Sequence, residues 1–433
     1  MRRKMMERLK RWKDDQEKPL ILQGARQVGK TYVIREFAKE NYENWVELNF
    51  ILHPNQRRIF EGDLSVEQIL LNLSLYSDFE MDQSKGRPLI FLDEIQACAE
   101  ARTALKSFQE DGRIDIIASG SLLGIQYKKV PSFPTGYVTY ETMYPMDFEE
   151  FLWANEVQEK VFHHLRTCFD HSEKVIPAIN ERMHELFRTY IVTGGMPAAV
   201  QEYIDHHQMH RVLRVQRDIV VDYRNDIAKY AEGSEKVKAT ACYDSLPSQL
   251  GKENKKFMFS RVEKGGKRVK YESSIQWLID ANAVLPCRRL SAVEPPLKSF
   301  IEPEDFKLYL SDSGLLMGML EEGIGAEIMA GGLNIYRGAI YENLIAQTIV
   351  AAGKELYYYN RNNSLEIDFV LSDPQHPTLL EVKAGNNQAK SLRTLMRDPR
   401  YAICKGVKLM GGNVGDTSPD GIVSLPVYMA MFL

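Results

Sequence analysis

The chain has 433 residues, 44% hydrophobic and 26% charged, with a formal net charge of −4 at pH 7. That length exceeds one ordinary core, so several globular domains are expected. So weak a net charge excludes a molecule drawn onto nucleic acid as a whole, and any such binding must come from a local patch.

The five cysteines (Cys98, Cys168, Cys242, Cys287, Cys404) are scattered and form no Cys-x-x-Cys pair. This argues against a disulfide framework or thiolate metal site and fits a reducing cytoplasm, the expected location. No apolar run reaches the about 18 residues that a span requires, so no membrane partner is expected. The opening MRRKMMERLKRWKDD is too charged for a signal peptide and reads as a short amphipathic helix.

From there strand and helix patterns alternate, the mark of a parallel sheet in an α/β fold. LILQ, WVELNF, RPLIFLD and RIDIIASG are the strands. From about Phe148 to Ala228 the pattern is helical, with a TGGMP turn between two helices. SEKVKATACYDSLPSQLGKE predicts a helix, a break at Pro247 and a short second helix. YESSIQWLIDANAV predicts a helix capped by Ser273 or Ser274, and AVLPCRRL and FKLYLSD predict strands. Helix, short helix, helix and strand pair is the order of a winged helix. The C-terminal part mixes GAIYENLIAQTIVAAG, a helix, with strands in ELYYYN, LEIDFVL and TLLEVK.

The stretch Gly24-Ala25-Arg26-Gln27-Val28-Gly29-Lys30-Thr31 matches G-x-x-x-x-G-K-[ST], between a strand and a helix, with Tyr32 next in the helix. Its glycines let backbone N–H groups wrap phosphate oxygens at a positive helix N-terminus. Lys30 is expected on the β/γ-phosphates and Thr31 on Mg²⁺. RPLIFLDEIQ places Asp93 at the carboxyl end of a buried strand, where ligands sit, as the second Mg²⁺ partner. Glu94 follows as the residue that polarises the attacking water. Ser119 and Ser121, at the end of RIDIIASGS, are the candidate γ-phosphate sensors. No N-K-x-D signature follows, which favours ATP over GTP.

With these residues, the sequence resembles a family of bacterial and archaeal AAA-type ATPases that carry a C-terminal domain of unknown function. The resemblance runs through LILQGARQVGKT, LIFLDEIQ, ASGSLL, YPMDFEEFL, YIVTGGMPAAV, LPSQLGKENKKF, FKLYLSDSGLL, GAIYENLIA and EIDFVL…LLEVKAG, nearly the whole chain. It departs where relatives commonly have a glycine-arginine pair: here Gly136 is followed by Tyr137. The resemblance further implies that the last domain is similar in fold to PD-(D/E)xK nucleases, that is, restriction-endonuclease-like.

The residues agree with that implication. Alternation puts Glu366 and Asp368 on one face of LEIDFV, and Glu381 and Lys383 on one face of LLEVKAG. Adjacent strands would converge Asp368, Glu381 and Lys383, with Glu342 from the preceding helix. That is a candidate nuclease site, with Asp368 and Glu381 as ligands of a second Mg²⁺. The same alternation is what any half-exposed sheet shows.

Between Lys252 and Lys270 eight basic residues stand against two acids. Lys255, Lys256, Arg261, Lys267, Arg268 and Lys270 are the candidate nucleic-acid contacts; the alternative is a solvated loop.

The expected architecture is a P-loop, AAA-type ATPase core (1–155), a helical lid (156–233), a winged-helix segment (234–315) and a nuclease-like α/β domain (316–433). The expected function is Mg-ATP binding with slow hydrolysis that controls the C-terminal domains. An ATP-gated DNA nuclease and a non-enzymatic, nucleotide-dependent protein-docking switch are the alternatives. DNA and a second copy of the chain are the candidate partners.

Overall fold

A computed structural model describes residues 1–433 except 78, 80–85, 121–135, 231–232, 253–254, 333–335, 362–364, 374–375, 384–388, 402, 404 and 416. The chain divides into two units: Met1–Tyr144 with Asp280–Asn282, and Pro145–Ile279 with Ala283–Leu433.

The first unit opens with α1 (Lys4–Asp14), whose Leu9 and Trp12, one turn apart, are buried. Its Arg8 donates to Glu17 at 2.7 Å and to Glu141 at 2.5 Å. There follow β1 (Leu20–Gln23), α2 (Lys30–Asn41), β2 (Trp45–Asn49), α3 (Val66–Leu73), β3 (Leu89–Asp93), α4 (Ala99–Asp111), β4 (Asp115–Ser119) and β5 (Thr139–Thr142). The five strands form one parallel sheet in the order β2-β3-β4-β1-β5.

Every residue of β3 and β4 is buried, as expected of central strands covered on both faces. Helix α4 lays Ala101, Ala104, Leu105 and Phe108, one helical stripe, against Leu48, Ile90, Leu92 and Ile116 of the sheet. Because the strands run parallel, Gln23, Asn49, Asp93 and Ser119 all lie at one carboxyl edge, where such sheets bind ligands.

The second unit begins with five helices: α5 (Phe148–Ala154), α6 (Glu159–His171), α7 (Pro177–Thr193), α8 (Pro197–His206) and α9 (Met209–Tyr230). Asp147 and Glu150 form a reciprocal capping box that starts α5. Next come α10 (Ser234–Leu250), α11 (Phe259–Val262), α12 (Arg268–Asp280), and the antiparallel pair β6 (Val284–Leu290) and β7 (Ile301–Leu310). The order helix, short helix, helix, strand pair is that read from the sequence, but the short helix is Phe259–Val262 and not the segment after Pro247.

Two details differ. Helix α10 runs through Pro247 without a break. Proline removes one donor only four residues from the end, while buried Leu246 and Leu250 anchor the last turn. The Gln249 side chain adds hydrogen bonds with Met258 N and O. Helix α12 starts at Arg268, before the serines. Ser273 and Ser274 are therefore interior positions, both donating to Glu235 at 2.7 Å.

After β7 come α13 (Ser313–Met319), α14 (Ile324–Met329), α15 (Tyr336–Ala351), β8 (Leu356–Arg361), β9 (Leu365–Ile367), β10 (Phe369–Leu371), β11 (Thr378–Val382), α16 (Lys390–Met396), β12 (Lys405–Met410) and β13 (Ile422–Pro426). Two four-stranded sheets result, β7-β6-β8-β9 and β10-β11-β12-β13. The run LEIDFVL is thus not one strand. It changes partner at Asp368, pairing with β8 before that residue and with β11 after it.

A buried carboxylate ties the turns of this unit together. Asp312 accepts from Gly195 N at 2.6 Å, Gly314 N at 2.9 Å and Gln347 Nε2 at 3.4 Å, and burial pushes its carboxyl up to about 6. A Cβ on Gly195 would stand 2.1 Å from Met146 O, so the TGGMP turn has room only for glycine there.

Candidate functional site

Between β1 and α2 the loop 24–29 turns on Gly24 (φ 146°), Gln27 (φ 62°) and Gly29 (φ 94°). A Cβ on Gly24 would lie 2.2 Å from Met143 O, so the close approach of two backbones requires glycine. Ala25 and Val28 are buried, Arg26 is half-buried, and Gln27 and Tyr32 are exposed.

Lys30 Nζ folds back to donate to Gly24 O at 3.0 Å and Ala25 O at 2.8 Å. Burial pushes its ammonium down to about 8, against the pull of Glu94 and Asp93, while Arg26 lowers it further. Thr31 Oγ1 donates to both oxygens of Asp93, at 3.2 and 3.3 Å.

Asp93 is the hub. Ser119 Oγ donates to its Oδ1, Asn49 Nδ2 donates to its Oδ2 at 2.8 Å, and Glu94 N donates at 3.2 Å. Burial raises the Asp93 carboxyl above its ordinary value despite the Ser119 bond. Glu94 sits at φ 56°, an uncommon backbone for a non-glycine residue, and accepts from Gln96 Nε2. Ser121 lies outside the described residues.

Asn49 was not singled out from the sequence. It pairs directly across from Asp93 in the sheet, so its place at the carboxyl end of β2 was the available signal.

Residues 16–152 match a family model described as an AAA domain. This segment is an AAA-type ATPase domain. It is a P-loop nucleotide-binding module, and the glycine-bounded loop just described lies inside the matched segment. Residues 184–324 and 337–428 match two further models, each described as a domain of unknown function. No curated protein matches the chain.

Among solved structures the chain is similar to a Walker-type ATPase of Pyrococcus abyssi, at 14% identity over 73% of this chain and 95% of that one, with a TM-score of 0.43. It is also similar to Aeropyrum pernix Orc1, solved with DNA, at 13% identity, 75% and 93% coverage and TM-score 0.32. AMPPCP-bound DnaA of Aquifex aeolicus follows at 13%, 65% and 90%, and 0.30. The AAA assignment rests on the family match, since all three scores are low.

The C-terminal residues gather around lysines. Glu342 is buried and accepts from Lys255 Nζ at 2.6 Å and Tyr309 Oη at 3.1 Å, with Lys307 Nζ at 3.7 Å. Lys307, 1% exposed, also pairs with Glu366 at 2.6 Å. Asp368 accepts from Val382 N at 2.8 Å, and burial with the nearby Glu342 charge pushes it up to about 7. Lys383 pairs with Glu381 at 2.7 Å and feels the charges of Asp368 and Glu342. Glu381 Oε2 is buried with no hydrogen-bond partner among the described residues.

Glu342, Asp368, Glu381 and Lys383 thus share one neighbourhood with Glu366, and with Lys255, Lys307 and Tyr309, which sequence reasoning did not place there. Among the described residues, no group of three or more His, Cys, Asp or Glu is arranged to hold a metal ion.

The basic segment is largely spoken for within the chain. Lys255 pairs with Glu342, Lys256 with Asp305, Arg268 with Glu272 and Glu304, and Lys270 with Glu263. Arg261 and Lys267 are exposed. No helix among the described residues is long and apolar enough to cross a membrane.

Proposed function

We propose that the chain is a Mg-ATP-binding, slow ATPase of the cytoplasm, and that its nucleotide state controls the C-terminal segments. The observation that supports this best is the Asp93 carboxylate. It is held by Ser119 and Asn49 beside Thr31, at the mouth of the glycine-bounded loop.

In this reading the loop N–H groups from Gly24 to Lys30 cradle the phosphates. Lys30 exchanges the Gly24 and Ala25 carbonyls for β/γ-phosphate oxygens. Thr31 and Asp93 would hold Mg²⁺, which supplies charge neutralisation and orientation of the phosphate chain when bound. Their hydroxyl and carboxylate, already in mutual contact, are a hard-oxygen donor pair suited to that ion. Ser119 and Asn49 fix the carboxylate, and Ser119 is placed to sense the γ-phosphate. Glu94 orients the attacking water and takes its proton.

The test is turnover of ATP beside a Glu94→Gln protein. Loss of turnover with ATP retained on the protein is expected. A variant that hydrolyses like wild type, or a wild type that binds no ATP, would sink the reading.

A second reading is a DNA nuclease gated by the nucleotide. The buried, unpartnered Glu381 Oε2 near Lys383 and Asp368 favours it. Mg²⁺-dependent cleavage of single- and double-stranded DNA, with and without ATP, tests it beside an Asp368→Ala/Glu381→Ala protein. Cleavage that persists in that double variant would refute the assignment. For DNA binding itself, Arg261 and Lys267, the two of the six candidate contacts outside the ion pairs named above, would meet phosphates. Assembly with a second copy is the companion expectation, measured as mass in solution with and without ATP.

A further inference from the structure

We infer that Arg3, from the segment before α1, is a positioning residue of the phosphate loop and a determinant of ATP and ADP affinity. The inference rests on the ATP-binding reading above.

Arg3 is 6% exposed although it lies at the start of a highly charged helix. Its Nη1 donates to Val28 O and its Nη2 to Tyr144 O, each at 2.7 Å. Val28 is the residue between the two left-handed positions of the loop, Gln27 and Gly29. A peptide group is planar, with its C=O and N–H pointing in opposite directions. Holding the Val28 carbonyl on the guanidinium therefore fixes the direction of the Gly29 N–H. Successive N–H groups in such a turn make the anion-binding concavity, so that direction decides whether the loop can receive a phosphate.

The other end of the loop is held by the same stretch of chain. Gly24 packs on Met143 O, and Met143 N donates to Gln23 O at 2.8 Å. Arg3 thus ties Val28 to Tyr144, one residue from where Gly24 touches Met143. The loop is clamped at both ends to a single dipeptide. Helix α1 works as the strut: Leu9 and Trp12 are buried, and Arg8 binds Glu141 of β5. The planar fork of arginine reaches two carbonyls at once, whereas lysine offers a single point charge.

The experiment uses the full chain with Arg3→Gln, Arg3→Lys and, as a control, Arg8→Gln, which loosens the same helix but leaves Arg3 in place. ATP and ADP affinities and nucleotide-free melting are measured for each, with KM and kcat where ATP turns over. Arg3→Gln is expected to weaken both nucleotides about 10- to 100-fold, the range for losing a charged hydrogen-bond donor. KM should rise accordingly, with kcat within about threefold, because the loop holds substrate throughout the reaction. Arg3→Lys should fall in between. Arg8→Gln should lower melting and leave affinity alone.

If Arg3→Gln does not fold, Arg3→Lys carries the test. Arg3 variants that melt earlier yet bind ATP like wild type would overturn the inference and leave Arg3 as a helix anchor. A wild type that binds no ATP would instead remove the reading beneath it, and this inference with it.

Discussion

Raising the pH from 7 to 9 should weaken ATP binding about tenfold. The argument begins with Lys30, whose ammonium is lowered to about 8 by burial, with Glu94 and Asp93 opposing and Arg26 reinforcing the shift. Bound phosphates would hold the lysine charged, so binding raises its pKa. The contribution is fully present below about pH 8 and is lost as pH rises through that value. In the nucleotide-free protein about nine-tenths of Lys30 is charged at pH 7 and about one-tenth at pH 9, given a pKa of about 8. The ratio is about tenfold, or about 1.3 kcal/mol. Calorimetric titration with ATP at the two pH values reads the affinity. Repeating it at pH 8 in buffers of different ionisation enthalpy should reveal uptake of about half a proton per nucleotide. Lys30→Arg keeps its charge throughout and should flatten the profile. A flat wild-type profile, or an equal slope in Lys30→Arg, would refute the reasoning.

Three further outcomes follow from particular contacts. Gly24→Ala puts a Cβ within 2.2 Å of Met143 O and should cost about 2–3 kcal/mol of stability while abolishing ATP binding, read by thermal melting and titration. Lys255→Ala leaves Glu342 buried beside one remaining lysine and should cost about 3 kcal/mol. Lys267→Ala, on an exposed site, should stay within about 0.5 kcal/mol, as urea unfolding of the two would show. Asp312, raised by burial to about 6, keeps its proton to higher pH in the folded protein than in the unfolded chain, so stability should fall as pH rises from about 4 to 6. Asp312→Asn, which cannot ionise, should remove that fall, and urea unfolding curves with the same pH slope in both proteins would count against the Asp312 junction.

The parts of the fold that repeat one strong signal were legible. Apolar runs closed by a glycine turn or an acid identified β1, β3 and β4, and the phosphate-loop spacing fixed Lys30 and Thr31. Strand β5 was not, because Thr139–Thr142 is a polar, half-exposed edge whose pairing with β1 comes from tertiary contact. Asn49 and Arg3 act across 44 and 25 residues of chain, on Asp93 and on Val28 respectively. No local pattern marks such partners. In the C-terminal part, alternation predicted that Asp368 and Glu381 lie near one another, as they do, but hid their counter-charges. Lys255 read as a phosphate grip, yet it is an internal partner of Glu342. Lys307 sits where β7 passes from its acidic, more exposed half (Glu302, Glu304, Asp305) to its buried half, and no local pattern announces a buried cation.

The sheet β7-β6-β8-β9 has a mechanical consequence. Strand β6 is hydrogen-bonded to β7 on one side and to β8 on the other. Backbone bonds therefore weld residues on either side of position 315 into a single plate. A protein cut there would leave β6 with a bare edge open to pairing with other chains. Through those backbone bonds, a displacement that reaches any one of strands β6 to β9 is passed to the other three.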